Sequence, residues 1–213
     1  MIALIDYRAG NLTSVRKALA AIAAPVFTPD DPAALRDVTG IIIPGVGHFG
    51  ATAALDAAWR AAILDRVRDE VPLLGICLGL QYLFDGSDEA PGVPGLGLLR
   101  GRVTLLPPTL KVPHVGWNTV AIRRPSRLLD GVATGTSFYF THSYAAPVTD
   151  DCVAASTHSA PFAAVVERGR VVGAQFHPEK SAEAGLRLLR NFVALAVPSG
   201  IVPPPRAADR HAD

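Results

Sequence analysis

Leu73-Leu-Gly-Ile-Cys-Leu-Gly-Leu-Gln81 is an apolar run whose character changes at its cysteine. Leu73 to Ile76 reads as a short buried strand and the residues after Cys77 as the start of a helix, so Cys77 stands in the turn between them. Gly75 and Gly79 lie two residues to either side. Side chains there would collide with the neighbouring strand or helix, the requirement of a sharp elbow that holds a nucleophile out of the sheet. A thiol at the head of a helix gains from unpaired N–H groups, which predicts a lowered pKa for Cys77. A buried structural cysteine at a Gly-punctuated strand end is the competing reading.

Outward from the elbow, the first 85 residues alternate strand and helix. Ala3 to Ile5 reads as a strand. Leu12, Val15, Leu19 and Ile22 follow at helical spacing behind Asn11 as N-cap. Ile41 to Ile43 reads as the next strand, followed by a helix with Leu55, Trp59, Ala62 and Ile63 on one face. This alternation predicts an α/β fold, a mostly parallel sheet with helices on both faces. From about Arg102 to Phe176 the pattern turns β-rich, with Ser137–Ser143, Cys152–Thr157, Ala163–Glu167 and Val171–Phe176 between turn residues, and predicts a mixed extension of the sheet. A last helix, Ser181 to about Val197, carries Leu186, Leu189, Phe192 and Leu195 as its stripe. Residues 1–197 are expected to form one domain, and the Pro-rich 198–213 a mobile tail.

Two further segments complete a chemical site. In Gly173-Ala-Gln-Phe-His-Pro-Glu-Lys-Ser181, a histidine and a glutamate stand two apart at a strand end. Pro178 biases His177 to an extended backbone, which predicts that Glu179 lines up behind the imidazole by strand periodicity. Glu179 would then hold one tautomer, leaving the far nitrogen to exchange a proton with Cys77. In Ile41-Ile-Ile-Pro-Gly-Val-Gly-His-Phe-Gly50, a strand runs into a Gly-rich turn. An N–H of Val46 or Gly47, with that of Leu78, predicts an oxyanion hole. A phosphate cradle is the alternative, although the turn lacks the Lys-Ser/Thr ending of a P-loop.

Bulk properties bound the remaining classes. The chain has 213 residues, 49% hydrophobic and 18% charged, with a formal net charge of +1 and no Lys/Arg cluster, so no footprint for nucleic acid or acidic lipid is expected. The two cysteines make no disulfide framework, the first residues lack the pattern of a signal peptide, and no apolar run reaches the roughly 20 residues of a membrane span. A cytoplasmic location is the expectation. Cys77 and His177 alone make a weak metal site, so no metal or cofactor is expected. Cys152, His158 and His211 read as structural or ordinary surface residues.

The elbow at Gly75–Gln81 and the His-Pro-Glu at 177–179, in this order, resemble the class I, triad-type glutamine amidotransferases. Within them, Asp6–Leu12, Pro44–Gly50, Pro113–Asn118 and Phe140–Tyr144 resemble the family of glutaminase subunits of imidazole glycerol phosphate synthase. The match spans about residues 2 to 196. It implies a flavodoxin-like sandwich, the triad Cys77, His177 and Glu179, and no cofactor. It also implies a heterodimer with a (βα)8-barrel cyclase subunit that receives ammonia and makes imidazole glycerol phosphate in histidine biosynthesis. By the same resemblance Gln81, Glu89, Ser143 and Tyr144 hold substrate glutamine, while Asn11, Trp117, Asn118, Tyr139 and Lys180 face the partner. Core packing is the alternative for Trp117 and Tyr139. The chain departs from the family pattern at Val115, where Met is usual, at Thr141, where Val is usual, and in its tail. A subunit for anthranilate, guanylate or vitamin B6 synthesis is disfavoured by Pro113–Asn118. A non-catalytic glutamine sensor is disfavoured by the intact triad.

Overall fold

The computed structural model describes residues 1–9 and 11–197; the expectation for 198–213 lies outside them, as does His211. The first half runs β1 (Ile2–Leu4), α1 (Leu12–Ala21), β2 (Val26–Phe27), β3 (Gly40–Ile43), α2 (Ala57–Arg68), β4 (Leu73–Ile76), α3 (Leu78–Tyr82), β5 (Gly86–Ser87) and β6 (Arg102–Leu105). The second half runs β7 (His114–Thr119), β8 (Ala121–Ile122), β9 (Ser137–His142), β10 (Tyr144–Ala145), β11 (Cys152–His158), β12 (Ala160–Arg168), β13 (Val171–Ala174) and α4 (Ala182–Ala196). Short 3₁₀ helices occupy Pro32–Leu35, Phe49–Ala54 and Pro178–Lys180.

The main sheet has the order β2-β1-β3-β4-β13-β12-β11-β8. It is parallel from β2 to β13 and antiparallel beyond, which is the mixed extension the sequence predicts. Strand periodicity divides the core. Ile2, Leu4, Ile42 and Leu74 pack on one face with Val15 and Leu19 of α1 and Leu188, Leu189 and Phe192 of α4. Ala3, Ile5, Ile41, Ile43 and Leu73 pack on the other with Ile63 of α2 and Leu78 and Leu80 of α3. Both faces are covered, as continuous apolar parallel strands require. In register, Gly75 lies between Ile43 and Gly173. The ends of β3, β4 and β13 therefore deliver the Gly-rich turn, the cysteine and the histidine to one rim, where open parallel sheets bind ligands.

Several expectations are corrected. Leu55 precedes α2, and Asp56 caps that helix by accepting from the N–H groups of Ala58 and Trp59. The stripe of α4 is rotated: Gly185, Leu188, Leu189, Phe192 and Ala196 are buried, while Leu186 and Leu195 are half-buried. Asn11 precedes α1 in a left-handed conformation and makes no capping bond with its side chain. A separate two-stranded ribbon, β7 with β9, pairs Trp117 with Tyr139 and Val115 with Thr141. Val115 and Thr141, each read from the sequence as a departure from the resembled pattern, thus face each other.

Candidate active site

Cys77 sits between β4 and α3 at φ 53°, ψ −104°, a left-handed conformation that side-chain-bearing residues rarely adopt. The surroundings hold it there. Its N–H donates to the Ala174 carbonyl at 2.8 Å, and the flanking glycines allow close packing. A Cβ on Gly79 would lie 1.8 Å from the Ile43 carbonyl oxygen, and one on Gly75 2.5 Å from the Gly79 oxygen. The elbow predicted from the glycine spacing is therefore enforced by backbone contact.

His177 and Glu179 meet as predicted, with Nδ1 and Oε1 2.8 Å apart and each side chain 1% exposed. The means differs from the expectation. β13 ends at Ala174, and Glu179 is carried back under the ring by the 3₁₀ turn Pro178–Lys180 instead of by strand alternation. His177 itself is extended, at φ −100° and ψ 97°. Three bonds fix its backbone: its N–H donates to the Tyr139 carbonyl at 2.9 Å, and its carbonyl accepts from Ser181 Oγ at 2.7 Å and from the Lys180 N–H at 3.0 Å; Ser181 Oγ in turn accepts from the Tyr139 N–H at 2.9 Å. Asn11 Nδ2 donates to Glu179 Oε1 at 2.7 Å. Asn11, expected to face a partner, thus orients the carboxylate. His177 Nε2 has no hydrogen-bond partner among the described residues, which leaves it for the thiol or a substrate.

Burial disfavours the His177 imidazolium, but the Cys77 thiolate and the Glu179 carboxylate together outweigh it and raise the pKa to about 10. Since this lies above the ordinary 6.5, the associated stabilisation is fully present below pH 6.5 and is lost as pH rises through about 10. In Cys77→Ala the contribution of the thiolate disappears. An NMR titration of His177 should then show a midpoint below that of the parent; an unchanged midpoint would mean that Cys77 does not act on the ring.

Two of the three expected oxyanion donors, the N–H groups of Leu78 and Val46, are occupied by backbone carbonyls. The Leu78 N–H donates to the Gly45 carbonyl at 3.3 Å, and the Val46 N–H to the Ala9 carbonyl at 2.8 Å. Gly47, at φ 95°, lines the cavity. Both defects belong to one peptide unit, Gly45–Val46. Gly45 is glycine because a Cβ would fall 2.0 Å from the Tyr7 hydroxyl.

A cavity of about 290 Å³ opens on Cys77 and is lined by Gln81, Glu89, Ser143 and Tyr144, the four residues expected to hold substrate. Pro113, Thr141 and His142 also line it, and the sequence reading missed them. Glu89 is held by the Phe49 N–H at 2.7 Å. Gln81 spends both amide protons on protein acceptors, the Tyr144 carbonyl at 2.8 Å and Gln175 Oε1 at 3.1 Å.

His142 is set in one tautomer by its surroundings. Its Nδ1 must donate to the Tyr144 carbonyl at 2.9 Å, so Nε2 accepts from His114 Nδ1 at 3.1 Å, and His114 Nε2 accepts from Asn118 at 3.3 Å. Burial is the main cause that lowers His114 to about 4 and His142 to about 3, keeping the chain neutral. His158, read as ordinary surface, stacks on His114 at 4.3 Å.

The expected partner-facing residues divide. Asn11 and Asn118 are committed to internal bonds, although Asn118 is only half-buried. Trp117 is 57% exposed, which excludes the core-packing alternative for it, and lies edge-on to Tyr139 at 6.1 Å. Lys180 Nζ stands 5.7 Å from the centre of the Tyr139 ring.

A strained cysteine at a strand–helix elbow, a buried histidine–carboxylate pair and a small polar cavity form the arrangement that a triad-type cysteine hydrolase requires. The glutamine amidotransferase class-I family matches residues 3–196. A curated relative from Methanothermobacter thermautotrophicus is 46% identical over 196 residues, covering 92% of this chain and 98% of its own. One from Moorella thermoacetica is 47% identical over 203 residues, covering 93% and 97%. Both are described as imidazole glycerol phosphate synthase subunit HisH. The chain belongs to the class I glutamine amidotransferase family, in its HisH branch. Solved structures share the fold at low identity. A glutamine amidotransferase crystal structure has a TM-score of 0.72 at 17% identity, covering 92% of this chain and 99% of its own. PurLQS from Thermotoga maritima gives 0.70 at 19%, with 91% and 97% covered.

Proposed function

We propose that the chain is the glutaminase subunit of imidazole glycerol phosphate synthase, hydrolysing glutamine and passing ammonia to a cyclase subunit in histidine biosynthesis. The observation that carries the reading is the buried His177–Glu179 pair beside Cys77, which opens on an amino-acid-sized cavity. Cys77 attacks the side-chain amide carbon of glutamine, and His177 gives its proton to the leaving nitrogen. Water activated by the same imidazole then cleaves the thioester to glutamate. Glu89 supplies the negative charge suited to the substrate α-amino group, and Ser143 and Tyr144 bound the pocket.

Free ammonia is mostly protonated in neutral water, so release into a protected passage preserves its reactivity. The exposed Val115, Trp117 and Lys180, with the half-buried Tyr139, suit a docking face beside the triad, and the partner is proposed to be a (βα)8-barrel cyclase forming a heterodimer with residues 1–197 as one unit. Among the described residues no helix is long and apolar enough to cross a membrane, and a cytoplasmic site of action is part of the proposal.

Rotation of the Gly45–Val46 peptide would release the Leu78 N–H and turn the Val46 N–H toward Cys77. Without it the tetrahedral oxyanion lacks donors worth about 10²–10³ in rate each. The purified chain alone is therefore expected to release glutamate slowly from saturating glutamine. Addition of the cyclase subunit with its nucleotide substrate is expected to raise the rate by at least about 10²-fold. Full activity in the isolated chain, or none in any mixture, would count against the reading.

A further inference from the structure

We infer that Gln175 is a further catalytic residue, one whose amide N–H donates to the sulfur of Cys77. Gln175 follows β13, two residues before His177, and is 0% exposed. Its Nε2 lies 3.6 Å from Cys77 Sγ. Which end of a glutamine amide faces a neighbour follows from the hydrogen-bond network, and here one fixed acceptor settles it. The Tyr144 carbonyl can only accept, so the Gln81 atom 2.8 Å from it is the nitrogen. The second proton of that nitrogen reaches the Gln175 atom at 3.1 Å, which must be the oxygen. Nε2 of Gln175 is then left toward the sulfur. The Tyr144 carbonyl is itself held by His142 Nδ1–H at 2.9 Å. Gln81 is accordingly a positioning residue for Gln175 as well as a wall of the pocket.

A donor aimed at sulfur favours the thiolate over the thiol and is strongest when charge resides there. That occurs twice in a thioester route, before attack on the amide and when the thiolate is expelled as water completes hydrolysis. In the acyl-enzyme the sulfur carries no charge, and the bond weakens. Gln175 thus stabilises Cys77 as nucleophile and as leaving group, while His177 handles the protons. The other ionisable groups around the sulfur are His177 with Glu179 behind it, both beyond the end of β13, His142 on β9, Glu89 and Tyr144 in the cavity, and the Tyr7 phenol, which burial keeps protonated.

This inference rests on Cys77 being the nucleophile, and its test needs neither glutamine turnover nor a partner. The free chain is alkylated with iodoacetamide across pH, the thiolate displacing iodide to form a carbon–sulfur bond, and labelling of the Cys77 peptide is followed by mass spectrometry. Gln175→Met keeps the side-chain length without a donor. Its midpoint is expected about one unit higher, about a tenfold loss of reactive thiolate at pH values well below both midpoints. Gln175→Glu, which points a carboxylate at the sulfur, is expected to move it further up. If Gln175→Met does not fold, Gln81→Met decides, since it leaves Gln175 free to turn away and should produce a smaller upward shift. A folded Gln175→Met, or failing that Gln81→Met, with the parent's profile overturns the inference. A shifted profile in a chain that never hydrolyses glutamine would retain it and sink the glutaminase reading instead.

Discussion

Cys77→Ala is expected to reduce partner-stimulated glutamate release by on the order of 10⁴–10⁶-fold while the protein still folds. Loss of the nucleophile from a triad removes the covalent route, and the remaining groups contribute only what they give to a bound substrate and water. The fold should survive because the thiol is small and its neighbours are held by backbone bonds, with the Cys77 N–H on the Ala174 carbonyl and the His177 N–H on the Tyr139 carbonyl. Cys77→Gly separates chemistry from strain. Glycine accepts φ 53° and ψ −104° without the cost of a side chain, about 1–3 kcal/mol. It should be as inactive as Cys77→Ala and unfold at a higher denaturant concentration. Appreciable turnover in either variant would remove Cys77 from its role, and a Gly variant no more stable than the Ala variant would show that the elbow stores little strain.

The largest expected effect on stability is at Gly79. A Cβ there would stand 1.8 Å from the Ile43 carbonyl oxygen, and both sides of the clash are backbone, one in α3 and the other in the central strand β3. No rotamer change relieves it. Gly79→Ala is therefore expected to cost about 4 kcal/mol or more, a large share of the 5–15 kcal/mol typical of a domain. Gly47→Ala provides the contrast, for it meets nothing within 4 Å and bears only the cost of its φ of 95°. That cost is about 1 kcal/mol. Urea unfolding of the three proteins measures both. A Gly79→Ala protein within about 1 kcal/mol of the parent would mean that β3 and α3 can separate, contrary to the close packing of the elbow.

The sequence reading recovered what depends on local pattern. The parallel half of the sheet follows from short apolar runs such as Leu73–Ile76, and the elbow from Gly75 and Gly79, because both rest on sterics within a few residues. It failed where a bond joins distant segments. Asn11 has the composition of a helix cap, yet its amide is used 168 residues away on Glu179. Glu179 reaches His177 through a turn that Pro178 opens, where strand alternation was expected. The orientation of the Gly45–Val46 peptide is invisible in Pro-Gly-Val-Gly, since glycine admits both states. Gln175 left a readable trace: a polar residue closing an apolar strand, at the same parity as His177. The trace went unread because an amide is not titratable.

The segment between β1 and α1 holds two parts of the site at once. Ala9 supplies the carbonyl that binds the Val46 N–H, and Asn11, two residues on, supplies the amide that binds Glu179. Arg8 and Asn11 both have positive φ, at 63° and 55°. If the Val46 N–H is freed by movement of Ala9, the Asn11–Glu179 bond is expected to lengthen with it. Readiness to accept a negative oxygen and readiness to move a proton would in this way be linked through the segment that carries Ala9 and Asn11.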